Sequence, residues 1–231
     1  MFTKIISMDA VSSSPIWSAQ YFSMSNNSTA SSFFPSVRIR DVAKERKETV
    51  NPKVPPFSEY IYLGLENIES NTRAFCSTNV KTGAEIKSNA KLFGNGDVLY
   101  GKLRPSLNKV YLVDETMPDG ICSTEILVLI PQENVLSEYL AEVLLSDGVK
   151  QKAESLTRGA SLPRVQADDF FDIEIPLPDM ATQKEIVDFI RQHREKWFYY
   201  RSIVSTVPRH IQGSLFERLY NGKPLPAHAI E

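Results

Sequence analysis

Across its 231 residues the chain is short of the residue types that build catalytic centres and anchors. Cysteine occurs twice, as Cys76 and Cys122, without C-x-x-C spacing and without a neighbouring histidine, which argues against a metal site or a disulfide framework. Both are read as reduced, buried thiols of a cytoplasmic protein. The three histidines, His193, His210 and His228, all fall near the C-terminal end. No apolar run approaches the roughly 20 residues of a bilayer span, and the longest, Ile126 to Ile130, is strand-sized. Before Asp9 there is one lysine and only a short apolar pair, too little for a secretion signal. G-x-S-x-G, the phosphate-binding G-x-x-x-x-G-K-[ST], H-E-x-x-H and a methyltransferase-like glycine loop are all missing. Glu85-Ile86-Lys87 matches half of a nuclease signature, but no aspartate lies between Val54 and Ala84 to complete its metal site. The expectation is a chain that performs no chemistry and carries no metal or cofactor of its own.

What is present is an ordinary globular composition, 42% apolar and 23% charged, with enough length for one domain of about 150 residues and an appendage. The net charge of -2 hides a segregation. From Lys81 to Lys109 six basic residues face two acidic ones, and from Tyr111 to Lys150 eight acidic residues face one lysine. Such a distribution permits a basic face on a near-neutral molecule.

The densest information lies in Gly94 to Val110, GNGDVLYGKLRPSLNKV. Gly94-Asn95-Gly96-Asp97 signals a turn, Val98-Leu99-Tyr100 a buried strand, and Lys109 to Val113 a second strand. Between the strands stand Lys102, Arg104 and Lys109, with Pro105 expected to hold Arg104 extended. A basic loop on a stiff hairpin suits phosphate or a guanine edge, although it is also the pattern of a solvated strand edge.

Along the chain, Ser12 to Ser32 is a Ser- and Asn-rich arm with scattered aromatics, residues 1–32 in all. Val37 to Val50 alternates apolar and basic residues before a short helical turn, and Asn51 to Phe57 is a proline-rich loop. Tyr60 to Leu65 reads as a strand, and Glu125 to Ile130 as one buried on both faces. Ser137 starts a helix that Gly148 separates from a second, Val149 to Thr157. Arg158 to Arg164 is an irregular loop in which Gly159 lets backbone approach a ligand. The alternative for Arg164 is an ion pair with Asp168 or Asp169. Thr182-Gln183-Lys184-Glu185 is a capping box, and the helix it starts carries Ile186, Ile190, His193, Trp197, Tyr200 and Val204 at coiled-coil spacing. That helix is too short to stand alone and needs a partner, and Leu215 continues its apolar stripe beyond Pro208.

Four ordered blocks carry a resemblance: GDVLYGKLRPSLNKV, then GICSTEILVLIP at Gly120, GASLPRV at Gly159 and IPLPDMATQKEIV at Ile175. Together with EYIYLGLENIES at Glu59 and SLFERLYNGKPL ending at Leu225, they resemble the target-recognition domain of type I restriction-modification specificity subunits. The resemblance implies an α+β fold, a mixed-sheet domain with packed helices over 33–180, followed by a helical coiled-coil-like arm over 181–222 and a tail over 223–231. It also implies half of a complete subunit, which carries two such domains. The partners implied are double-stranded DNA, a methyltransferase subunit carrying S-adenosylmethionine, a restriction subunit, and either a second copy of this chain or another half-subunit. On this reading Lys102, Arg104 and Lys109, with Lys81, Lys87 and Lys91, contact DNA, Tyr100, Ser123 and Thr124 position them, and Arg158 and Arg164 lie nearby. Ile186, Ile190, Trp197, Tyr200, Val204 and Leu215 form the interface of the arm. The alternative is an assembly or regulatory subunit of the same fold that reads no sequence.

Overall fold

A computed structural model describes residues 34–77 and 79–206, with backbone alone at 79, 200 and 202–206. The chain divides into two units, one ending at Lys184 and one beginning at Glu185.

The first unit holds two principal sheets. The larger joins β3 (Thr49–Val50), β6 (Ala90–Phe93), β9 (Gly120–Ser123), β4 (Glu59–Leu63) and β5 (Asn79–Thr82), in that order. Its β4–β9 pair is parallel, whereas its other pairs are antiparallel, so the sheet is mixed. The smaller is antiparallel and joins β2 (Ala43–Glu45), β10 (Ile126–Pro131), β7 (Val98–Gly101) and β8 (Val110–Leu112). β1 (Ser36–Arg38) pairs with β13 (Glu174–Pro176), and β11 (Thr157–Arg158) with β12 (Arg164–Val165). Helices α1 (Ser137–Leu145), α2 (Asp147–Ser155) and α3 (Ala167–Phe171) complete the unit, with α1 packed on β7 and β8. The expected α+β class is what the chain forms.

Burial explains the strand assignments. Val98, Leu99, Tyr100 and Ile126 to Leu129 are all fully enclosed, because β7 and β10 are covered on both faces. Between the two sheets lie Leu63, Phe93, Leu99, Tyr111, Cys122, Ile126 and Val128. Behind the larger sheet a second, smaller cluster of Ile86, Ala90 and Ile121 is flanked by Val50, Tyr60 and Tyr62. Gly120 is required at its position, since a Cβ there would stand 2.5 Å from the Ile61 carbonyl oxygen and 2.7 Å from the Phe93 ring. Cys122 is buried, which pushes its thiol up to about 12, whereas Cys76 is exposed, contrary to the expectation that both are enclosed.

Buried polar bonds brace the smaller sheet and the start of the last helix. Asp97, at the end of the Gly94 turn, accepts from Arg46 Nε at 2.8 Å and Nη2 at 3.0 Å and from the Gly94 N–H at 2.8 Å. The adjoining Gly96 supplies the positive φ of 82° that this turn needs. Gln183 is fully buried; its amide oxygen accepts the Leu136 N–H at 2.9 Å and its nitrogen donates to the Asn134 and Pro178 carbonyls.

Helix α4 runs from Met180 to Thr206. Its start differs from the capping box expected at Thr182: Asp179 Oδ1 accepts the Thr182 N–H at 2.9 Å, so the cap lies three residues earlier. The Thr182 N–H draws the Asp179 carboxyl below the ordinary aspartate range. In the second unit Phe189 is 63%, Trp197 47% and Tyr199 63% exposed, and Ile186 and Ile190 are half-buried. His193, expected in a packed seam, is exposed and lies against the Phe189 ring at 4.1 Å. The side chains of Tyr200 and Val204, and all of Leu215, His210, Pro208 and the arm over 1–32, lie outside the described residues.

Two outcomes follow from these cross-links. Asp97→Ala strips a buried partner from Arg46, and urea denaturation is expected to show a loss of about 3 kcal/mol. For Asp179, a folded pKa below the ordinary value of about 3.9 means the cap contributes fully above that value and is lost as pH falls through the folded one. The Tm deficit of Asp179→Ala is expected at pH 7 and should close in acid, while a deficit that persists in acid contradicts the assignment.

Candidate nucleic-acid interface

The hairpin between β7 and β8 begins with the β-ladder partner-free Lys102 and turns through Arg104 into a 3-10 helix, Pro105–Leu107. Arg104 is not extended, as its place before proline predicts, but left-handed at φ 50° and ψ 66°. Tertiary hydrogen bonds override the local preference. The Arg104 N–H donates to the Pro163 carbonyl at 2.8 Å, and its carbonyl accepts from Leu107 at 2.9 Å. Asn108, left-handed as well, closes the turn by donating from Nδ2 to the Leu145 carbonyl at 2.6 Å. A non-glycine residue in this conformation costs about 1–2 kcal/mol, so the frame around the loop holds it there.

The loop from Gly159 to Pro163 is the tip of the β11–β12 hairpin, and Gly159 supplies the positive φ of 93°. It meets the Lys102–Arg104 segment directly: Val165 N–H donates to the Lys102 carbonyl at 3.1 Å, and Leu103 bridges Arg164. Two motifs far apart in sequence thus form one surface. Glu125 joins them from a third direction. Its carbonyl accepts the Lys102 N–H at 3.0 Å, and both carboxylate oxygens accept from Arg164 Nε, at 3.0 and 2.9 Å. This bond raises the Arg164 pKa further. Ser123 Oγ in turn accepts the Glu125 N–H at 3.2 Å, and Thr124 completes the half-buried turn.

The structure sorts the predicted cations into two kinds. Arg104 and Lys87 are exposed and Lys102 is half-buried, and none has a side-chain partner among the described residues. Lys81 holds its ammonium 4.4 Å over the Tyr62 ring. Arg158 pairs with Asp169 at 2.8 Å, and Arg164 pairs with Glu125 rather than with Asp168 or Asp169. Two expectations are corrected. Lys109 Nζ donates inward to the Leu65 and Ile68 carbonyls at 2.6 and 2.7 Å, and Lys91 Nζ to Glu45 and the Ile126 carbonyl at 2.8 and 3.1 Å. Their charges satisfy internal acceptors and do not face a ligand. Tyr100 is also fully enclosed, stacked 4.2 Å from Phe170, with burial raising its pKa. It reaches no surface and supports the loop only through packing.

Sequence reasoning missed Glu125 and Tyr62. Glu125 stands 39 residues from Arg164, and no local spacing marks the pair. Tyr62 read as strand filler, yet it is half-buried beside Ser123, which lies within hydrogen-bonding reach of its hydroxyl. The assembled surface offers free guanidinium and ammonium donors next to hydroxyls and a carboxylate, a donor and acceptor set suited to a polyanion with base edges. Among the described residues no group of three metal-ligating side chains occurs, and no helix is long and apolar enough to cross a membrane.

Residues 34–197 match the family described as type I restriction modification DNA specificity domain, and the chain belongs to that family. It is 27% identical over 139 residues to the type I restriction enzyme HindI specificity subunit of Haemophilus influenzae, covering 58% of this chain and 30% of that one. The EcoDI specificity subunit of Escherichia coli is 24% identical over 155 residues, 67% of this chain and 33% of that one. This chain therefore spans about a third of the length of the curated relatives it matches. The crystal structure of the HsdS subunit from Thermoanaerobacter tengcongensis superposes with a TM-score of 0.65 at 27% identity, covering 84% of this chain and 52% of that one. A structure from work on complex assembly of the type I R-M system gives 0.67 at 24% identity over 86% of this chain and 51% of that one, a likeness of fold.

The division of the cations has a direct test. Lys109→Met removes the ammonium donor from the Leu65 and Ile68 carbonyls and is expected to lower the unfolding free energy by about 1–3 kcal/mol. Lys102→Met removes no internal bond and is expected to stay within about 0.5 kcal/mol of the unsubstituted chain in the same urea titration.

Proposed function

We propose that this chain recognises a DNA sequence for a restriction-modification complex and carries out no chemistry itself. The observation that carries the reading is the junction of the Lys102–Arg104 loop with the Gly159–Arg164 hairpin on a domain of the specificity family. Arg104 and Lys102 present free positive donors at the rim of a rigid two-sheet frame, the arrangement by which Arg and Lys fix register on a phosphate backbone. Arg164 and Arg158, already engaged by Glu125 and Asp169, shape that surface.

The partner classes follow from the family. An adenine methyltransferase subunit binds S-adenosylmethionine and modifies the site that this chain selects, and a restriction subunit acts on the same assembly. Helix α4 supplies the docking and dimerisation arm, with Ile186, Ile190 and Trp197 on the seam. Trp197 and Phe189, both largely exposed, support an arm that is completed by another helix. A second copy in two-fold symmetry gives a palindromic, bipartite target; another half-subunit gives an asymmetric one.

Selection of bound fragments from a random duplex library by the purified chain, with its mass in solution recorded, tests this reading. A bipartite consensus is the expected result. Lys102→Glu with Arg104→Glu is expected to abolish enrichment while leaving binding to the methyltransferase intact. Unchanged DNA affinity of that variant at low salt sinks the assignment of the surface, and enrichment of nothing, with or without the methyltransferase, favours an assembly subunit.

A further inference from the structure

The surface next to the Lys102–Arg104 loop is chemically unlike it. From Glu125 a connected row runs back across the larger sheet. The Glu125 N–H donates to Ser123 Oγ at 3.2 Å, Ser123 lies within reach of the Tyr62 hydroxyl, and Lys81 stands 4.4 Å over the Tyr62 ring. β4 and β9 run parallel here, pairing Tyr62 with Ile121 and Leu63 with Cys122, so Tyr62 and Ser123 emerge on one face at one end of the sheet. Tyr62, Ser123 and Glu125 are all half-buried, which fixes their polar atoms and leaves part of each open. Glu66 acts on the Tyr62 hydroxyl electrostatically from the same end of β4.

Phosphate oxygens only accept hydrogen bonds and carry negative charge. A row that mixes two hydroxyls with the Arg164-paired carboxylate of Glu125 and the Lys81 ammonium offers acceptors as well as donors, which a phosphate, itself only an acceptor, does not use. Base edges in the major groove instead alternate donors and acceptors: hydroxyls pair with either, and a carboxylate accepts from cytosine N4. Lys102 and Arg104, with no carboxylate partner among the described residues, have the complementary character.

We infer that Tyr62, with Ser123 and Glu125, forms the base-reading part of the interface, while Lys102 and Arg104 form its phosphate-binding part. The inference rests on the reading of the chain as a DNA-recognition domain. Glu125 has two tasks in this division, since it also positions Arg164 and the Lys102 backbone. Ser123 touches the cationic loop only through the Glu125 N–H, and Tyr62 makes no bond to that loop among the described residues, so Tyr62→Phe isolates base reading and Ser123→Ala is its companion.

The test uses the full chain and the duplex that it selects from a random library, with binding measured across a salt series and the selection repeated for each variant. Tyr62→Phe and, separately, Ser123→Ala are expected to change the preferred base at the same one or two positions. Each is expected to weaken the selected duplex about tenfold, with the slope of log affinity against log salt unchanged. Arg104→Gln is expected to weaken all duplexes alike and to reduce that slope by about one. Tyr62→Phe and Ser123→Ala leaving the selected sequence intact, or lowering the salt slope, overturn the inference while the DNA reading stands. Failure of the unsubstituted chain to select any sequence, alone and with the methyltransferase, overturns both.

Discussion

Asp97 is the junction on which the first unit depends. One carboxylate, 2% exposed, receives the Arg46 guanidinium in two bonds and the Gly94 N–H in a third. Arg46 follows β2 and donates its own N–H to Val128 of β10, while Asp97 precedes β7 and accepts on its carbonyl the N–H of Val113 after β8. The pair therefore closes the smaller sheet at one end, around strands enclosed on both faces. A charge buried in this way is tolerated because both carboxylate oxygens find donors, one of them charged. The turn that sets it in place is the glycine- and asparagine-rich stretch before Asp97, so the frame and the basic loop share one hairpin.

Several cations of the chain do the same kind of internal work. Lys109 reaches the carbonyls at the end of the 3-10 helix Leu65–Asn67, and Lys91 ties β6 to Glu45 on β2. Each replaces a water-exposed charge by a bond that links the two sheets or braces the base of the loop. The consequence for function is that the charge excess between Lys81 and Lys109 overstates the basic character of the surface. What remains outward is concentrated at Lys87, Lys102 and Arg104, and the neighbouring polar row from Tyr62 to Glu125 is mixed in sign. On the proposed division, backbone charge and base-edge pairing come from different residues, which would separate affinity from selectivity.

Much of the framework was legible in the residues. The buried strands at Val98 to Tyr100 and Ile126 to Ile130, the helix start at Ser137, and the turn at Gly94 all carry strong local signals, and the structure has elements there. The failures were of another kind. The extended conformation expected of Arg104 before Pro105 yields to the Pro163 carbonyl, and the capping box at Thr182 yields to Asp179, a carboxylate placed one position after Pro178. His193, placed on the seam by its spacing, is exposed in the single chain, as are Trp197 and Phe189 on the same helix.

By itself the sequence determined the class of the fold and the strands that make its core, because alternation, β-branching and turn residues act over a few positions. It also placed cations and a flexible glycine in the loops at Lys102 and Gly159. Only the tertiary structure decided that these loops touch, that Glu125 binds them together, and that Lys91 and Lys109 face inward. Those outcomes depend on contacts between residues tens of positions apart, and a side chain's charge says nothing of its direction until the strands beneath it have paired.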